Sequence, residues 1–266
     1  MRIFSSILAA VFVAGVAISA HAAEQASAQD EFEFSGLNAS DYTLGERQYL
    51  VYFKDKGSDA AKWLSLWTRS TAIVERAGEK LVEIRQIWRS DDPRFQRELY
   101  SLNRIEDFAP VLHITKRGEE GVIEAYQFSD SEITGAPGVE GNTKTDFSVA
   151  KAPNTLNWEL DMETFALLPL KKDAVFNLNF YHPGSKTAPQ AYEYKIIGED
   201  VLTDYAGRKV KTWMLKIEYG ETDNAIFWLD QKTGEMLKME EVFGDMRRYK
   251  VRLGVVGDEP EMTTLQ

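Results

Sequence analysis

The chain has 266 residues, a formal charge of −11 and no cysteine. An acidic balance excludes nucleic acid and anionic lipid headgroups as partners held by bulk charge, because counterion release serves a basic surface. The missing thiol excludes a disulfide framework and a thiol-linked lipid anchor. A chain of this size buries roughly 70–75% of its unfolded surface, so it needs no metal or cross-link to fold, and the length suits one large β domain. An aromatic content of 12% with only eight prolines points to packed strands rather than disorder.

The chain opens with Arg2, an apolar run from Ile3 to Ile18, and the small-x-small triplet Ala20-His21-Ala22. Those are the parts of a secretory signal peptide, with cleavage expected after Ala22. The run is shorter than the ~20 residues of a membrane-spanning helix, and no later stretch reaches that length. The expected organisation is a signal peptide over 1–22, a flexible leader over 23–40, one β domain over 41–257 and a flexible tail over 258–266. The expected compartment is the periplasm.

From Tyr42 onward the pattern predicts strand after strand. Ala60 to Val74, with Trp63, Leu64, Leu66 and Trp67, reads as a short helix followed by a strand. In Leu81 to Arg89, Val82, Ile84, Gln86 and Trp88 share one face. Gly118-Glu119-Glu120-Gly121 predicts a hairpin between Pro110–Lys116 and Val122–Phe128. The glycine- and proline-bearing stretch Gly135 to Pro153 predicts a long loop. Leu156 to Leu168 reads as a helix or helical turn crossing between two runs of strands. Phe176, Leu178 and Phe180 alternate with Asn177, Asn179 and Tyr181, the period of a half-buried strand. Further strands are expected over Tyr192–Ile197, Arg208–Tyr219, Ala225–Leu229, Met236–Phe243 and Met246–Leu253. Turns are expected at Gly198, Ala206-Gly207, Asp230 to Gly234 and Gly244-Asp245. The predicted fold class is mainly β: a single curved antiparallel sheet, half-barrel like, with one or two short helices.

The most characteristic segment is Phe227-Trp228-Leu229-Asp230, the turn Gln231-Lys232-Thr233-Gly234, and Glu235-Met236-Leu237-Lys238-Met239-Glu240. Gly234 is expected at a positive-φ turn position. Taken with Ile197-Gly198-Glu199-Asp200, Ala206-Gly207, Trp213 and the stretch from Ala109-Pro110 to Phe128, it resembles a family of exported bacterial proteins of unknown function with an FWLD…TGE hairpin. That family is distantly similar to half-barrel lipoprotein carriers. The resemblance implies a curved sheet around an apolar hollow closed by a helix, and it brings no catalytic residues.

No motif specifies a chemistry. His113 and His182 lack a second ligand at metal spacing, so no metal site or cofactor is implied. No Gly-x-Ser-x-Gly elbow is present. The carboxylate pairs Asp91-Asp92, Glu119-Glu120 and Glu240-Glu241 read as solvated surface. Arg248, Lys250 and Arg252 share one face of a strand beside Arg247, and read as an exposed basic face that could serve as an anion or partner patch. Trp158, Phe165, Leu168, Phe176, Phe180, Trp213 and Trp228 are the candidate walls of an apolar ligand site. The expected function is non-catalytic binding of an apolar ligand, a lipid-modified chain or an envelope partner. A periplasmic hydrolase using unidentified carboxylates and a structural interaction module are the alternatives.

Overall fold

The computed structural model describes residues 31–32, 37–40 and 42–254, so the expected signal peptide, its cleavage site and the tail lie outside the described residues. The strands are β1 (Glu31–Phe32), β2 (Gly45–Asp55), β3 (Lys62–Arg76), β4 (Glu79–Ser90), β5 (Arg97–Arg104), β6 (Pro110–Arg117), β7 (Val122–Phe128) and β8 (Glu132–Gly135). They continue as β9 (Ser148–Ala150), β10 (Thr155–Asn157), β11 (Val175–Tyr181), β12 (Gln190–Thr203), β13 (Lys209–Glu218), β14 (Asn224–Asp230), β15 (Met236–Phe243) and β16 (Met246–Arg252). A 3-10 turn over Trp158–Leu160 leads into the one α-helix among the described residues, α1 (Asp161–Ala166).

All sixteen strands form one sheet, in the order β1-β11-β12-β13-β14-β15-β16-β2-β3-β4-β5-β6-β7-β8-β9, with β10 paired to β11. The last strand, β16, zips antiparallel against β2, through Tyr249 opposite Tyr52 and Lys250 opposite Val51. The sheet therefore joins a C-terminal half, β11 to β16, to an N-terminal half, β2 to β9. Its curvature brings the two far ends together through side chains. Tyr126, Phe128 and Ile133 of β7 and β8 pack with Tyr181 of β11, and the Asn157 amide lies 3.0 Å from His113 Nδ1 of β6. This is the curved, largely antiparallel, half-barrel-like sheet with one short helix that the sequence predicts.

The helix lies on the concave face as a plug. Five of its six residues, Asp161 to Phe165, are buried. So short a helix is not stable alone; its packing holds it. Phe165 meets the rings of Phe227 at 4.8 Å, Tyr194 at 5.1 Å and Phe180 at 6.5 Å. Fully burying such a side chain contributes ~1.5–3 kcal/mol. The Asp230–Gly234 turn sits against the helix end. Gly234 has φ +72°, as the sequence predicts, and a Cβ there would lie 2.7 Å from the carbonyl oxygen of Ala166. No other residue serves this turn without moving the plug.

Several local expectations need correction. Ala60 to Val74 holds no helix; from Lys62 onward it belongs to β3, with Ser65, Trp67, Arg69 and Thr71 alternating inward. Two tryptophans beside leucines fit a helical stripe, but the partner strands on both sides impose a period of two. Gly198 does not end a strand; β12 runs through it at a bulge. Leu156 to Leu168 begins as strand, in β10, and is helical as expected over the 3-10 turn and α1. The Gly135 to Pro153 stretch holds the short strand β9 paired with β8. Leu37 and Ala39 are buried at 2% and 1% exposure, so packed core begins before residue 41.

Candidate functional site

The two halves of the concave face carry different chemistry. On β11 to β15 most inward residues are apolar: Phe176, Leu178, Phe180, Tyr194, Ile196, Leu215, Ile217, Phe227 and Met239 all belong to one buried cluster with Phe165 and Leu168. On β2 to β6 and β16, Arg69, Gln86, Ser101, Asn103, His113, Thr115 and Lys250 are buried with the aliphatic residues. The plug faces both halves, and a cleft of about 280 Å³ remains where it meets the polar one.

Arg69 ties the plug to the sheet. Its guanidinium donates from Nε to Glu163 at 2.9 Å, from Nη1 to Gln86 Oε1 at 2.7 Å and from Nη2 to the Glu159 carbonyl at 2.9 Å. The pair is 2% and 3% exposed. Burial works against the Arg69 charge, but Glu163 more than offsets it and holds the guanidinium pKa above its usual value. Gln86 Nε2 also donates to the Glu159 carbonyl, at 3.0 Å. Every polar group at this junction is satisfied, as a buried network requires.

The cleft floor is a layered stack across β16, β3, β4 and β5. The Trp67 and Trp88 rings lie 3.6 Å apart and 6° from parallel. Lys250 Nζ sits over Trp67 at 4.9 Å, and the Arg97 guanidinium over Trp88 at 4.9 Å. Each cation is held by a π-face and by a long ion contact. Lys250 lies 3.8 Å from Asp161, and Arg97 lies 4.0 Å from Glu159. Burial pushes the Lys250 pKa down, with Asp161 opposing and Arg248 reinforcing the shift. Burial likewise lowers Arg97, helped by Arg117 and Arg248. The opposite wall is Trp158, stacked on His182 at 4.2 Å, whose pKa burial lowers. At the mouth, Phe53 and Phe95 line the cleft and continue into Trp63 at 5.4 Å and 5.8 Å, with Phe243 6.2 Å from Phe53. Trp63 is 36% exposed and its backbone is held at φ +53°, a conformation that costs a bulky residue energy.

Of the seven aromatic and apolar candidates, Trp158 lines this cleft. Phe165, Leu168, Phe176 and Phe180 pack together in the buried cluster, and Trp213 packs against it. Trp228 is on the other face of β14 from Phe227, where its indole donates to Asp200 at 2.9 Å beneath Lys238. These residues do not share one open space.

The basic strand face is not exposed but turned inward, because Lys250 pairs across with Val51 and Met239, which are both buried. Arg248 and Lys250 reach the cleft. Arg252 instead donates to Glu235, which also lies 3.1 Å from Arg47. Glu241 likewise faces in, 2.6 Å from Arg248. His113 is fully buried between Ser101, Thr115 and Asn157, and burial pushes its pKa down to about 3. Among the described residues no cluster of three His, Cys, Asp or Glu side chains could hold a metal ion.

Sequence reasoning missed Trp67, Trp88, Arg97 and the Arg69–Glu163 pair. The signal for the pair was present, since Glu163 interrupts an otherwise apolar spacing.

Fold and cleft together define a β-sheet protein with a plugged half-barrel and a mixed aromatic and charged recess. Residues 48–252 match the family described as protein of unknown function DUF3108, and the chain belongs to that family. It is similar to a β-barrel-like protein of the DUF1849 family from Brucella abortus, with 11% identity and a TM-score of 0.48 over 79% of this chain and 98% of that one. It also matches a DUF1329 family protein from Desulfovibrio piger, with 7% identity and a TM-score of 0.33 over 83% and 89%. No curated protein matches the chain.

Proposed function

We propose that this is a non-catalytic binding protein of the cell envelope whose cleft takes an amphipathic ligand. The polar end enters beside the plug, and the apolar part lies along the aromatic mouth. The observation that carries the reading is the continuity of two surfaces: the charged recess floored by Trp67 and Trp88, and the rim of Phe53, Trp63 and Phe95. Ligand sites join apolar walls to a few placed polar groups, and indole faces supply area at little entropic cost. The strained Trp63 backbone keeps a large ring at the rim. The envelope assignment is supported by the N-terminal signal-peptide pattern.

The interior hollow of a carrier is occupied here by Phe165, Phe180 and Phe227, so the proposed ligand lies on the cleft and not within the barrel. The test is tryptophan fluorescence on titration with dodecyl maltoside below its micelle concentration. Saturable binding is expected. Trp158→Ala should weaken it about ten-fold with the fold intact, whereas Phe180→Ala should lower stability and leave the affinity of the folded fraction unchanged. No saturable change in the parent protein, or a binding loss confined to Phe180→Ala, rejects the reading.

A further inference from the structure

Resting on that reading, we infer that the ligand's polar end is an oxyanion borne on its apolar chain, seated by Lys250 and Arg248. Lys250 is 5% exposed, and what remains open faces the cleft. Among the described residues its ammonium, with three N–H groups to donate, finds no acceptor at hydrogen-bonding distance. Its partners are Asp161 at 3.8 Å and the Trp67 face. Arg248 lines the same end of the cleft, held by Glu241 2.6 Å from its Nε, and its guanidinium carries further N–H groups to donate.

The unspent capacity at this end of the cleft is therefore donor capacity. No carboxylate oxygen among the described residues is both buried and unpaired. A ligand that supplies acceptors to these donors gains charge-assisted hydrogen bonds. Two features select an anion over a neutral acceptor. The Lys250 and Arg248 charges oppose each other, and Arg69 adds to the repulsion. Residues two apart on a strand also put the two cations on one face. A phosphate or carboxylate there turns one oxygen toward each, and charge-assisted bonds of this kind are the strong ones. Asp161 and Glu241 remain beside the seat and keep it near neutral when empty. That neutrality lets a cationic pair persist inside an acidic protein.

The test compares dodecyl phosphate, dodecyl maltoside and inorganic phosphate on the full-length protein, read by calorimetry below micelle concentrations. Dodecyl phosphate should bind at least about ten-fold tighter than the maltoside, and inorganic phosphate should compete only weakly. Lys250→Gln should erase most of the preference for phosphate, the ratio of the two affinities falling toward one. If that variant unfolds, the more exposed Arg248→Gln reads the same preference. Equal affinity for the two detergents in the parent protein, or a full preference surviving the substitution, overturns the seat. Inorganic phosphate binding as tightly as dodecyl phosphate overturns the chain-borne source. Phosphate binding with no maltoside binding would instead break the amphiphile reading and leave the seat standing.

Discussion

The two halves of the sheet solve the same packing problem in opposite ways. On β11 to β15 the plug meets Phe180, Tyr194 and Phe227 ring against ring. On β2 to β6 and β16 the plug meets Arg69, Gln86 and Lys250, and each brings hydrogen-bonding groups that need partners. Apolar contact is non-directional, so the first half closes tightly. Polar contact is directional and fixes spacing, so the second half closes only where Glu163 and the Glu159 carbonyl reach. Where they do not reach, the cleft remains. The filled half positions the helix, and the polar half holds the recess that the helix borders.

Breaking the polar closure should have the largest effect. Glu163→Ala leaves the Arg69 charge buried and unpaired, and removing one partner of such a pair costs about 3–5 kcal/mol. Urea denaturation should show a loss of that size. The double variant Arg69→Met with Glu163→Leu should recover most of it, because a well-packed apolar pair often replaces a buried ion pair at little cost. A loss below about 1 kcal/mol for the single variant would mean that the plug is held by the apolar half alone.

The second prediction uses pH. His113 is buried neutral with its pKa pushed down to about 3, whereas the unfolded chain takes up its proton near pH 6.5. The unfolded state thus binds more protons below that pH. The stabilisation is present above pH 6.5 and is lost as the pH falls toward 3, by up to about 1.4 kcal/mol per pH unit. His113→Gln should flatten this part of the stability profile measured by urea denaturation between pH 7 and 5. An unchanged slope would place the acid sensitivity in the carboxylates instead.

Gly234→Val sharpens the apolar side of the comparison. The left-handed φ costs on the order of 1–3 kcal/mol in a β-branched residue, and the new Cβ also presses on the end of the plug at Ala166. A drop of that size in stability is expected. Ligand affinity should fall as well, because Trp158, Glu159 and Asp161 move with the plug. A variant as stable as the parent would show that the turn can open without disturbing the helix.

Much of the fold was legible because alternation and turn chemistry are local. The FWLD…TGE hairpin announced itself through Gly234, and Val82, Ile84 and Gln86 showed their shared face. The inward turn of Lys250 was not legible. An alternating basic strand looks the same whether its charges meet water or Trp67 and Asp161, and only the pairing of β16 with β2 decides between them. The packing of the aromatic candidates was not legible for the same reason. Large aromatic residues mark burial, but whether they fill a space or line one depends on the segment that packs over them. Phe165 filled the hollow that Phe176 and Phe180 were expected to leave open. Arg69 was hidden by the misread helix, although Glu163 in an apolar stripe was a sign that a buried cation waited elsewhere.

The central claim, that ligand occupies the polar half and not the filled one, can be read from the six tryptophans. In a 15N-correlated NMR spectrum each indole N–H reports its own position. On titration with dodecyl maltoside below its micelle concentration, the signals of Trp63, Trp67, Trp88 and Trp158 should move saturably. Those of Trp213 and Trp228 should stay fixed. Shifts concentrated at Trp213 and Trp228, with the other four unmoved, would contradict the account.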